Sequence, residues 1–258
     1  MPLIAADKEK AYRALISDVK GFYEAQAKLH ENEPVHLTWC DSCKEINLWT
    51  YWQGRGNLDA EIMVVGQDWG SPKEGSEILK NIREINDGVR TDYHFDEHNP
   101  TDRNLAELCC SIGIPIPSGK SDPRLFFTNF VLGYRNQGLT GGFKSSWIRE
   151  NEGFFLRLAE IVDPRIIICL GRNVFTGVTR SLGKPVRIWS YNAFVTGSQN
   201  PVSVTLPGGK ESYVFALAHC GAIGTLNRNR LHDPYGLTGI ELQKKDWSRI
   251  KEYVTGSP

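Results

Sequence analysis

The 258-residue chain has no charge bias: 30 lysines and arginines balance 30 aspartates and glutamates. A uniformly basic surface, the usual mark of a nucleic-acid binder, is excluded, so a polyanionic partner would need a locally positive face. Long apolar runs are also missing. None approaches the roughly 20 residues of a bilayer-spanning helix, so no membrane partner is expected. Cysteine is sparse, with Cys40, Cys43, Cys109, Cys110, Cys169 and Cys220 scattered along the chain. That spacing argues against a disulfide framework, and Cys169 reads as a small core residue within an apolar strand. The opening Met1-Pro2-Leu3-Ile4 lacks the basic-then-apolar layout of a secretory signal, so a cytoplasmic location is expected. Internal repeats and low-complexity tracts are absent.

What remains is ordinary for a globular protein: 40% hydrophobic and 23% charged residues. The length suits one substantial core. A single domain over residues 1–258 is expected, with 1–35 as an N-terminal helical extension. Tyr12, Leu15, Ile16, Val19, Phe22 and Tyr23 recur at helical spacing within 8–29. Residues 76–86, 102–112, 147–162 and 172–182 also read as helices, and 239–254 as a closing amphipathic helix. Residues 88–101 and the glycine-rich 133–146 read as loops, and 186–206 as strand and turn. Apolar runs of strand length end at Gly66, near Leu132, at Leu170 and at Ala218. Strands alternating with helices predict an α/β fold, a three-layer sandwich with a mostly parallel central sheet and helices on both faces.

Three strand ends carry polar groups. Val64-Val65-Gly66-Gln67-Asp68-Trp69-Gly70 puts an amide and a carboxylate in a glycine-flanked turn, where ligands of open α/β sheets bind. The plain alternative for Asp68 is a helix N-cap. Leu125–Leu132 carries Asn129, an amide that must find partners. Tyr213–His219 ends in a histidine and runs into Cys220-Gly221-Ala222-Ile223-Gly224, followed by Arg228 and Arg230. The plain alternatives are a core histidine and a buried Ile223. Arg172, Arg180, Lys184 and Arg187 form a second cationic stretch, read as solvated surface.

Taken in order, these segments resemble the uracil-DNA glycosylase superfamily. Gly66-Gln67-Asp68-Trp69-Gly70 is similar to its first strand-to-turn motif and His219-Cys220-Gly221 to its last. Tyr51–Glu61 and Ile166–Arg172 look like segments of the iron–sulfur members. The likeness runs from about residue 40 to about residue 230. It implies that Asp68 activates water and that His219 hydrogen-bonds the pyrimidine oxygen. It further implies that Asn129 reads the flipped base, that Gln67 offers backbone contacts, and that Ile223 wedges into the stack while Arg228 and Arg230 contact DNA. Phe95 is the expected stacking aromatic, with Tyr93 as the alternative.

The chain departs from the family at several positions. Gly70 stands where many members have a tyrosine that blocks 5-substituted bases, leaving the wall open unless Trp69 closes it. Cys40 and Cys43 match the first pair of cluster cysteines, but the other two ligands should fall near Gly133, Tyr134 and Asn151. No metal or other cofactor is therefore expected; His36 with Cys40 and Cys43 would give only a partial zinc site. No lysine occupies a motif position, so Schiff-base lyase chemistry is not expected.

The resulting expectation is a monofunctional DNA glycosylase with DNA as partner and no obligatory protein partner. Gly70, the loop from Gly138 to Gly142 and the incomplete cysteine set lean the substrate toward a 5-modified cytosine, such as glucosylated hydroxymethylcytosine in phage DNA. Uracil repair is the alternative. A non-catalytic DNA-binding protein and a nucleoside hydrolase are the readings from other classes.

Overall fold

A computed structural model describes residues 5–41, 57–70, 75, 77–89, 99–116, 122–136, 142–229 and 236–255. In chain order the elements begin with α1 (Ala5–Leu29), β1 (Leu37–Thr38), a 3-10 turn (Asn57–Asp59), β2 (Ile62–Gly66) and β3 (Trp69–Gly70). There follow α2 (Glu77–Asn86), α3 (Pro100–Ser111), β4 (Leu125–Asn129), β5 (Tyr134–Arg135) and α4 (Ser145–Val162). Next come β6 (Ile166–Leu170), α5 (Arg172–Ser181), α6 (Tyr191–Thr196), β7 (Val202–Thr205) and β8 (Glu211–Leu217). The last are α7 (Ala222–Asn229), α8 (Gly239–Ser248) and α9 (Lys251–Thr255).

The main sheet has the order β4-β2-β6-β8-β7, parallel except for the edge strand β7. Every residue of β2, β4 and β6 is buried, as strands covered on both faces require. The chain passes from β2 to β4 in one direction and from β4 across to β6 and β8 in the other. Right-handed crossovers then send the helices after β2 and those after β4 to opposite faces. Helix contacts agree: α4 touches α1 and α5, whereas α8 touches α3 and α7. The chain is thus α/β, with a mostly parallel five-stranded sheet and helices around it.

Register positions the functional edge. Ile62 lies level with Leu125 and Ile166, and Ile166 with Tyr213. Gly66, Asn129, Leu170 and Leu217 therefore end in one row. Asp68 and His219 each follow that row by two residues.

Several local expectations shift. Helix α1 is integral to the core rather than an appendage: Leu15, Val19 and Tyr23 are fully buried, and Lys8 Nζ donates to the carbonyls of Leu58 and Val162. Within 133–146, Tyr134 and Arg135 form a strand pairing antiparallel with β1 and parallel with β3. Within 186–206 the chain makes α6, capped by Ser190, before β7. The closing helix is two helices, α8 and α9. Apolar alternation cannot reveal two-residue strands or such breaks, because each depends on partners distant in sequence.

Candidate active site

Asn129 ends β4 beside Gly66, its partner across the ladder. A Cβ on Gly66 would come within 2.1 Å of Asn129 Oδ1, so only glycine lets the amide lie against the end of β2. Asn129 is buried, yet its carboxamide makes no hydrogen bond to another described residue. It keeps one donor group and one acceptor available for a ligand.

Asp68 follows Gly66 and leads into the strand Trp69–Gly70 rather than into a helix, so it is not an N-cap. Its Oδ2 lies 2.5 Å from Nε of Arg135, both side chains being at most 9% exposed. The contact is an ion pair with poor hydrogen-bond alignment. Gln67 Nε2 donates to Asp68 Oδ1 at 3.1 Å, and Asn173 Nδ2 donates to Gln67 Oε1 at 3.1 Å. Burial pushes the Asp68 carboxyl above the ordinary carboxylate range, while Gln67 and the Arg135 charge pull it back. Sequence reading missed Arg135. Its only sequence signal is a cation in a glycine-rich stretch, and pairing of β5 with β3 is what brings it to Asp68.

His219 sits on a tightly folded turn. The Gly221 amide donates to His219 Nδ1 at 2.9 Å, which leaves the neutral ring protonated at Nε2. The ring is exposed to solvent, yet surrounding protein pushes its pKa down. Gln243 Nε2 donates to the His219 carbonyl and Asn104 Nδ2 to that of Cys220, at 2.9 and 2.7 Å. A Cβ on Gly224 would approach His219 O to 2.0 Å, so glycine there lets α7 start directly under the histidine.

The strand order places Asn129, Asp68 and His219 on β4, on β2 and on the strand two places from β2. At about 4.8 Å per strand, roughly 14 Å separates the outer two strands. No protein-family model matches the chain, and comparison with curated proteins finds no match.

Helix α7 begins three residues after His219. Ile223 is 76% exposed and Leu226 is 61% exposed. Their spacing of three puts them on one face, and the core alternative for Ile223 is excluded. Arg228 lies about 140° around the same helix from Ile223. The resemblance places it on DNA, but it is buried, its Nε and Nη2 reaching Asp246 Oδ2 and Oδ1 at 2.7 and 3.0 Å. Arg228 is thus a structural residue that fastens α7 to α8. Its replacement by alanine leaves Asp246 buried without a partner. Unfolding in urea should show a loss of about 3–5 kcal/mol, and the DNA affinity of the folded fraction should not change.

Gly70 pairs through its backbone with Arg135 in the small sheet. Arg230, Phe95, Tyr93, Cys43 and residues 137–141 lie outside the described residues. Cys40 is half-buried, and His36 Nδ1 lies 3.1 Å from the Glu33 carbonyl and 3.3 Å from Asn136 Nδ2. Among the described residues no three His, Cys, Asp or Glu side chains group as metal ligands.

The positions at which the resemblance would put the other cluster ligands do meet in space, around Tyr23. Its ring fills the place a Cβ on Gly133 would take, within 2.4–2.7 Å. Its hydroxyl donates to Asn151 Oδ1 at 2.6 Å. The same oxygen accepts from the Leu132 amide, and Asn151 Nδ2 donates to the Trp147 carbonyl. Neither Gly133 nor Asn151 offers a thiolate, and the buried amide clamps α1 and the loop after β4 onto α4. Asn151→Ala leaves two buried donors unpaired, each costing about 1–3 kcal/mol. A matching fall in the urea midpoint is expected.

Proposed function

We propose that the chain is a monofunctional DNA glycosylase with a uracil-DNA-glycosylase-like fold. One observation carries the reading. A buried carboxylate, an unengaged amide and a neutral histidine stand at the level carboxyl ends of three parallel strands, with exposed Ile223 four residues beyond the histidine. The strand order and the order of the polar groups along the chain support the same reading.

A base in a duplex must leave the stack before such groups can reach it. Ile223 and Leu226 supply an apolar wedge for the vacated space. Asn129 offers its amide to the Watson–Crick edge of the base. As the N-glycosidic bond breaks, its electron pair leaves with the base, and His219 Nε2–H donates to the oxygen on which that charge gathers. A neutral donor does so without transferring its proton. Asp68 stabilises the cationic sugar and takes a proton from the attacking water, whose hydroxide adds to C1′. The base is then protonated by solvent. Arg135 holds the Asp68 carboxylate in place and offsets the burial that opposes its ionisation.

For substrate, the glycine at position 70 favours a pyrimidine carrying a 5-substituent, such as glucosylated hydroxymethylcytosine, over uracil. The test is base release from duplexes holding uracil, a thymine mismatch, hydroxymethylcytosine or its glucosylated form, read as abasic sites by alkaline cleavage. Release of the glucosylated base is the expected result. Release of uracil alone would move the protein to repair. No release with retained DNA binding would make it a binding protein, and no DNA binding at all would point to a nucleoside hydrolase.

A further inference from the structure

Beside this site runs a groove of about 520 Å³ whose lining includes Arg172, Asn173, Arg180, Arg187, Ile188 and Trp189 and contains no acidic residue. It adjoins the candidate active site through Asn173, which lines the groove and hydrogen-bonds Gln67. It also lies at the functional edge of the sheet: Arg172 follows the end of β6 by two residues, as Asp68 follows β2 and His219 follows β8. The Arg172 guanidinium donates to the Ile188 carbonyl at 2.7 Å, tying the 186–189 segment to the start of α5. Tyr191 fixes the other side, its hydroxyl donating to the Leu217 carbonyl at the end of β8.

The groove combines two features that a structural role does not explain. Trp189 is 81% exposed, although Arg187 already lies over its ring at 4.2 Å from the centroid. An indole this size left bare forgoes burial that the fold would otherwise gain. Positive charge is also left over. Arg180 is paired with Glu152, but among the described residues Arg172 and Arg187 have no carboxylate partner. The first turn of α5, uncapped by any side chain, lines the same groove and adds the positive end of its dipole. In a chain of zero net charge, this is a local cationic face with an aromatic platform. The matching ligand is an anionic strand bearing flat rings.

We propose that this groove seats the nucleotides flanking the base held between Asp68, Asn129 and His219, with one base stacked on Trp189 and phosphates on Arg172 and Arg187. The proposal rests on the glycosylase reading and extends it to the strand beyond the target base. Stacking on an aromatic side chain tolerates any base, and arginines that meet phosphates make binding salt-dependent.

The test is fluorescence anisotropy with short single-stranded and duplex oligonucleotides that contain no target base, across a salt series, together with base release by the same proteins. Trp189→Ala and Arg187→Ala should each weaken binding about tenfold, and Arg187→Ala should flatten the salt dependence. Trp189→Phe should keep most of the affinity. In base release the alanine variants should raise KM and spare kcat, because neither residue touches the reacting bond. Trp189 and Arg187 are surface residues, so circular dichroism should report an intact fold. Wild-type base release with unchanged binding in both alanine variants would overturn the groove proposal and leave the glycosylase reading standing. A wild-type protein that binds no DNA would overturn both.

Discussion

Asp68→Asn should lower single-turnover base release by about 10²–10⁴-fold while leaving DNA affinity near that of the wild type. Asparagine keeps the shape of the side chain and its contact with Gln67 but cannot take a proton from water. It also withdraws the counter-charge of buried Arg135, so the folded protein should be checked by thermal melting beside the assay. Arg135→Gln gives the complementary test. Burial already raises the Asp68 pKa, and Arg135 is among the groups that lower it. Without that charge the carboxyl rises further. Activity needs the ionised form, present above the pKa, so the acid limb of the kcat/KM profile should move to higher pH. A variant that lost activity equally at every pH would make Arg135 a purely structural partner. A pure DNA binder would lose nothing in either variant, because it has no proton to move.

His219→Ala should cost about 10²–10³ in the rate of base release, the range found when a single donor to developing negative charge is removed. DNA affinity should change little, since the donor works against charge that appears only as the bond breaks. The hydrogen bond from Gly221 makes the role specific. Nδ1 is occupied as an acceptor, so Nε2–H is the donor the neutral ring has left to offer. Protonating the ring would cost that bond as well as solvation, in keeping with the downward shift. An NMR titration of His219 should therefore find its midpoint below the usual 6.5, with the ring neutral at pH 7. A midpoint above 6.5 would mean that the imidazolium acts as an acid, and the proton inventory of the mechanism would have to change. Gly221→Ala should also slow release, because its Cβ would crowd the imidazole at 3.0 Å from Nδ1.

Much of this architecture can be read from local pattern. The apolar runs that end at Gly66, Leu170 and Ala218 contain β2, β6 and β8, wholly or mostly buried strands with little or no polar face. Asp68, Asn129 and His219 are placed by those strands alone: once the sheet is parallel and in register, residues at or just past its carboxyl ends must share an edge. Exposure of Ile223 follows less directly, since the same residue could have packed inward. Trp189 and its arginines gave only a cationic stretch in sequence, and the groove exists because α5, the 186–189 segment and the end of β8 are tied together by Arg172 and Tyr191.

Local pattern alone gives the α/β class, the succession of the long core strands and most of the helices between them, and which polar residues fall at strand ends. Those features depend on periodicity and on neighbours a few positions away. Which partner each charge meets follows from the folded chain and not from local pattern. Arg135 is a buried partner of Asp68 because β5 pairs with β3, and Arg228 is a clamp on Asp246 because α7 packs on α8. Tyr23 occupies the space between Gly133 and Asn151 because α1 packs against α4. A charge or an aromatic ring has the same identity in a loop, on a surface or in a core. Its energy there is set by what stands within a few ångströms, and those neighbours come from distant parts of the chain.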